Sequence, residues 1–190
     1  MARISLRKNI LMNKALEVLY NEHEIIKSVI NYREKITVLA KSDPVKCKDI
    51  IIRLIDFFRN YADKFHHYKE EKLLFPLMSE KNEMLKDSII EEMLDNHQDF
   101  RKLVKSIESA VEMENCEESS ALLLKYTEML LDHIAVEDDE FFQMAETLLD
   151  EKELDKMYYD FQDIDRELGL DIKRDFEKMK EELEVSLTSN

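Results

Sequence analysis

YADKFHHYKEEKLLFPLM, residues 61–78, sets two histidines and two glutamates inside a segment whose apolar residues recur at helical spacing. Each helical residue advances by about 100°. With His66 at zero, Ala62, Leu73 and Leu77 fall within about 40° of it, and Glu70 lies about 40° away. His66 and Glu70 are therefore predicted at the centre of the apolar stripe. His67 lies at its edge, at about 100° and close to Leu74, and Glu71 lies further out. Lys69, Glu71 and Lys72 read as a solvated face. A carboxylate aimed into a core costs on the order of several kcal/mol unless it is protonated, paired or bound to a metal. The HxxxE pair therefore needs a partner inside the protein.

The other histidines follow the same pattern. His23 shares its stripe with Leu16, Leu19, Ile26 and Ile30. His97 shares its own with Ile90, Met93, Phe100 and Val104, and His133 with Tyr126, Met129, Val136 and Glu137. Of the five histidines in the chain, four lie centrally on the apolar faces of four different helices, and two of these have Glu at i+4. A single inward histidine is ordinary core packing. Four imidazoles and two carboxylates pointing inward together would leave a core badly destabilised, and a bound metal cluster is the simplest way to satisfy them.

The rest of the chain supports a helical bundle. It has 190 residues, 44% hydrophobic and 37% charged, with one Gly and two Pro, which is too few chain-breakers for a turn-rich β fold. Glu, Lys, Leu and Met, all good helix formers, dominate. Four long periodic segments are predicted, at about 11–40, 47–78, 85–113 and 119–149. KSDPVKC, with Pro44, and MENCEESS mark breaks between them. Short polar links between long amphipathic helices predict an all-α, antiparallel up-down-up-down four-helix bundle over residues 1–150. The segment 151–190 reads as a C-terminal helical extension, with Gly169 as a helix end, packed on the bundle or on a partner subunit such as a second copy.

The net charge of −15 argues against nucleic acid and against an anionic membrane surface. No apolar run approaches the roughly 20 residues needed to span a bilayer. Arg3, Arg7 and Lys8 precede no uninterrupted apolar core, so no secretory signal is read and a cytoplasmic location is expected. Cys47 and Cys116 form no CxxC pair and read as two reduced thiols.

Mixed imidazole and carboxylate ligation suits iron or manganese and tolerates zinc. The HExxH of zinc peptidases is absent, because His23-Glu24 is followed by Ile25, Ile26 and Lys27. The ExxH of ferritin-like di-iron proteins is absent too, since no histidine has Glu three residues before it. Taken together, NEHEII, HHYKEEKLLFPLM, DNHQDF and DHIAVEDDEFF resemble the hemerythrin-like HHE cation-binding family, over about residues 10–150.

That resemblance implies a four-helix bundle holding two non-haem iron ions joined by an oxygen bridge, oxo or hydroxo, and by two carboxylates. His23, His66, His97 and His133 would be terminal ligands, and Glu70 and Glu137 would bridge. Two departures stand out. Oxygen-carrying hemerythrins have a second histidine one turn after the third-helix ligand, and here that position is Arg101. Their fourth-helix carboxylate is an Asp one residue later, which is Asp138 here, although the i+4 spacing favours Glu137. His67, three residues before Glu70, either supplies the missing imidazole or stands just outside the ligands.

The implied function is binding of O₂ or a related small oxidant, NO or peroxide, for sensing, delivery or detoxification. A di-iron enzyme consuming peroxide or NO, with Tyr126 as a proton or electron donor, is one alternative. An iron donor for iron–sulfur cluster repair is another, and a bundle merely stapled by its metal is a third.

Overall fold

The computed structural model describes residues 13–188 and shows an all-helical bundle, with no strand among the described residues. Arg3, Arg7, Lys8 and the expected helix start at Leu11 lie outside the described residues. No helix among the described residues is long and apolar enough to cross a membrane.

Helix α1 (Lys14–Ile30) begins at Asn13, whose side chain accepts from the Ala15 amide at 2.9 Å. A turn at Asn31 and Tyr32 separates it from α2 (Arg33–Ser42), so the first predicted segment is two helices rather than one. Asp43 caps α3 (Pro44–Phe57) by accepting from the Lys46 amide at 3.1 Å. Pro44 sits in the first turn of α3, where its missing N–H leaves nothing unpaired.

Helical backbone then runs unbroken to Lys81, but not as a regular α-helix. Phe58–His67 and Glu70–Leu74 are π-helical, and α4 (Phe75–Lys81) follows. The amides of Tyr68 and Phe75 reach back five residues, to the carbonyls of Asp63 and Glu70. Each wide turn takes in an extra residue and rotates the faces that come after it.

This rotation corrects three expectations. His67, expected at the stripe edge, is buried. Lys69, expected in solvent, is 0% exposed. Leu74, Phe75 and Met78 fill the core, while Leu73 and Leu77, the expected stripe, are only half-buried. Lys72 is exposed, as expected.

After Asn82 a short irregular stretch leads into α5 (Glu91–Glu112), with Asp87 and Ser88 non-helical. Asn115 caps α6 (Cys116–Val136) by accepting from the Glu118 amide at 3.1 Å. A π-helical stretch, Glu137–Phe141, carries this helix into α7 (Phe142–Leu148). Helix α8 (Glu151–Leu168) opens on a reciprocal capping box between Asp150 and Glu153. It ends at Gly169, whose φ of +107° few other residues adopt. Helices α9 (Leu170–Glu177) and α10 (Met179–Thr188) complete the described residues.

Helix α5 packs along α6, α2 packs on α3 and α6, and α8 and α10 lie against α1. The buried apolar residues form two clusters. One contains Ile26, Ala62, Phe100 and Leu130, and the other Leu19, Leu74, Met93 and Phe141. Along each of the four long segments the chain passes from one cluster to the other at a histidine or glutamate. His23 lies between Leu19 and Ile26, and His66 to Glu70 between Ala62 and Leu74. His97 lies between Met93 and Phe100, and His133 to Glu137 between Leu130 and Phe141. The polar groups therefore occupy one layer, walled above and below by apolar packing.

Candidate metal centre

Two groups of potential ligands meet in that layer, and all seven residues are buried. His23, His66, Glu70 and Glu137 form one group, and His67, His97 and His133 form the other; within each group the ligand atoms lie within 4.8 Å of one another. The two carboxylates face both groups. Glu70 lies 3.5 Å from His66 Nε2 through Oε1 and 3.6 Å from His97 Nε2 through Oε2. Glu137 Oε2 lies 3.3 Å from both His23 Nε2 and His133 Nε2. The His97 and His133 Nε2 atoms are 3.1 Å apart. His67 stacks on His97 with ring centroids 3.9 Å apart.

The outward ring nitrogens meet polar partners. His23 Nδ1 donates to Asp138 at 2.7 Å, His66 Nδ1 to Glu22 at 3.1 Å and His97 Nδ1 to Glu71 at 2.9 Å. His67 Nδ1 lies 3.6 Å from Asp63, and His133 Nδ1 lies 3.5 Å from the Asn96 amide. A carboxylate on Nδ1 fixes the ring orientation and directs the Nε2 lone pair inward, as around metal-bound histidines generally.

Each of these carboxylates in turn meets a cation. Lys27 donates to Asp138 at 3.1 Å. Arg101 donates to both Asp63, at 2.8 Å, and Glu71, at 2.7 Å. Glu22 accepts from Lys69, and also from Lys173 at 2.6 Å.

Electrostatics set the inner atoms apart from this outer ring. Burial pushes His66 and His97 well below the usual imidazole value, and neighbouring rings add to the effect. Burial and the same kind of neighbour bring His133 down to about 4. Burial acts downward on His23 as well, but Asp138 and Glu137 outweigh it and lift the ring to about 9. Burial, then the nearby Glu137 and Glu22 charges, push Glu70 well above the carboxylate range. Burial also acts upward on Glu137, but His133, His23 and His66 hold it at about 2.

On the protein groups alone, the layer is not satisfied. Nε2 of His23 and His66, both ring nitrogens of His67 and all four carboxylate oxygens of Glu70 and Glu137 are buried without a hydrogen bond. Buried polar atoms are rarely left this way, and a cluster of orphaned imidazole and carboxylate lone pairs fits a metal cation.

The structure thus brings together all seven residues predicted from sequence: His23, His66, His67, Glu70, His97, His133 and Glu137. Asp138, the alternative to Glu137, faces outward to His23 Nδ1 and Lys27. Arg101, at the position of the missing histidine, clamps two outer carboxylates. Glu71 and Lys69, read as solvated, belong to the outer ring of partners. Glu22, Asp63 and Asn96 were not singled out by sequence. Their only signal is adjacency: Glu22 precedes His23, Asn96 precedes His97, and Asp63 stands at i−4 from His67. Tyr126 is buried against Phe58 and Phe100 and helps line a cavity of about 230 Å³ that reaches His67.

Comparison with known proteins agrees with this geometry. No curated protein and no solved structure matches the chain. Residues 14–145, which include all seven inward residues and end before α8, match the family described as the hemerythrin HHE cation binding domain. The chain belongs to the hemerythrin HHE cation-binding family.

Proposed function

We propose that the chain holds two iron ions in this layer and binds O₂ or a related small oxidant, NO or peroxide, there. One observation carries the reading: two buried carboxylates, each facing histidines of both groups, with no oxygen hydrogen-bonded. Glu70 and Glu137 would bridge. His23 and His66 would hold one ion, and His67, His97 and His133 the other. His67 supplies the imidazole that Arg101 does not. Manganese or zinc would fit the same donors.

When bound, a pair of ferrous ions supplies two electrons and open coordination to a diatomic or peroxide ligand. The protein groups do the remaining work. Asp138, Glu22 and Glu71 hold the rings of His23, His66 and His97 in orientation by hydrogen bonds, and Asp63 and Asn96 stand beside His67 and His133. The apolar clusters on both sides exclude water and slow proton entry.

The same reading takes residues 1–150 as an antiparallel up-down-up-down bundle holding the metals and 151–190 as an extension, supported by the single polar layer and by the packing of α8 and α10 on α1. A cytoplasmic location, with Cys47 and Cys116 as reduced thiols, belongs to the same reading.

The test is metal quantification on protein purified without added iron, followed by stopped-flow mixing of the reduced protein with O₂. Two irons per chain and a reversible oxygenated absorption band are expected. Rapid turnover of added peroxide would move the reading to an enzyme, and an absence of bound metal would overturn it.

A further inference from the structure

The groups around the histidines come from the long bundle segments, except for Asp165 and Lys173. Around Glu22 the cations are two ammoniums, Lys69 and Lys173, and both also pair with a second carboxylate, Asp165. Lys69 Nζ lies 2.6 Å from Asp165 Oδ1, and Lys173 Nζ lies 2.5 Å from Asp165 Oδ2. Lys69 is 0% exposed, Glu22 2% and Asp165 3%. Lys69 is on the turn between His67 and Glu70, whereas Asp165 is on α8 and Lys173 on α9. Residues beyond the family match thus close a neutral square of two acids and two bases, one hydrogen bond from His66.

Resting on the two-iron reading above, we propose that Asp165 and Lys173 are positioning residues of the metal centre: they balance the charge on Lys69 and Glu22, and so fix the His66 ring and how strongly it donates to its iron. A carboxylate on the outer nitrogen raises the basicity of a ligand histidine. An ammonium on that carboxylate draws its charge away and weakens the effect. The extension is then a structural part of the centre, and its helices α8 and α9 set the electron affinity of the iron on the His23 and His66 side.

Two variants perturb the square in opposite senses. Lys173→Gln leaves it with one excess negative charge and favours the ferric state. Asp165→Asn leaves one excess positive charge and favours the ferrous state. In redox titrations of the iron-loaded full chain, followed by absorption and electron paramagnetic resonance, the oxidised-to-reduced ratio at fixed potential should rise about tenfold in Lys173→Gln and fall about tenfold in Asp165→Asn, which is ~59 mV for a one-electron couple. Lys173→Arg should restore the wild-type value.

A purely structural role would move both variants the same way or neither, and that result overturns the proposal. Should Asp165→Asn fail to fold, Lys173→Gln and its Arg counterpart carry the test alone: an unchanged potential in Lys173→Gln overturns the proposal. Wild-type protein without bound iron would instead overturn the two-iron reading itself.

Discussion

Glu70→Met separates a carboxylate kept for metal from one kept for structure. Met is unbranched, close to Glu in size and comfortable in a helix, so the change mainly removes charge. Among protein groups the Glu70 oxygens meet no hydrogen-bond donor, and the nearest ring nitrogens, at 3.5 and 3.6 Å, belong to His66 and His97. Burial keeps both of those rings neutral, so neither offsets a negative charge. Burial pushes Glu70 toward its protonated form, so without metal the fold must hold either an unpaired charge or a proton taken up against the ordinary carboxylate value, and apolar replacement of such buried ionic groups recovers about 1–4 kcal/mol. Taking about 3 kcal/mol, and about 2–4 °C per kcal/mol at this chain length, metal-free Glu70→Met should melt about 6–12 °C above metal-free wild type.

With iron the order reverses. Wild type gains stability on loading, whereas the variant binds at most one ion and gains little. The assay is thermal denaturation by circular dichroism of chelated and iron-loaded samples, with iron counted in each. If chelated Glu70→Met is less stable than chelated wild type, Glu70 is a member of a structural ion pair and the argument from unpaired burial fails.

Other perturbations follow from the same geometry. Acidifying the metal-free protein should destabilise it between pH 6.5 and about 4, because His133 titrates near 4 when folded and near 6.5 when unfolded; the unfolded chain binds more protons across that window. For His133 alone the full loss is about 3 kcal/mol, measurable by urea denaturation against pH. His66→Ala and His67→Ala should each lose one iron, from different groups, and retention of both irons by His67→Ala would remove it from the ligand set. Asp138→Asn and Glu71→Ala should keep the fold but weaken iron binding about 10–100-fold in a chelator competition, since each orients a ring from outside; unchanged affinity would make both pairs incidental.

The helical class, the breaks near Pro44 and Asn115 and six of the seven inward residues were legible in the linear pattern. Apolar spacing at 3.6 residues reports a face, and an ionisable group placed on that face stands out against it. His67, Lys69 and Glu71 were not legible in the same way, because a constant 100° step assumes regular winding. Two π-helical stretches on either side of Lys69 break that regularity, carrying the lysine inward and turning Leu73 and Leu77 away. Periodicity also carries no information about which carboxylate meets which ring.

What the sequence determined by itself is therefore local: which residues form helices, and which polar side chains those helices aim at one another. The division of five histidines into a pair and a trio was decided by tertiary structure alone. So was the return of Lys173 to Glu22 across more than 140 residues of chain, with Asp165 meeting both lysines beside it. These depend on distances between separate helices, and such distances are set by how the two apolar clusters pack.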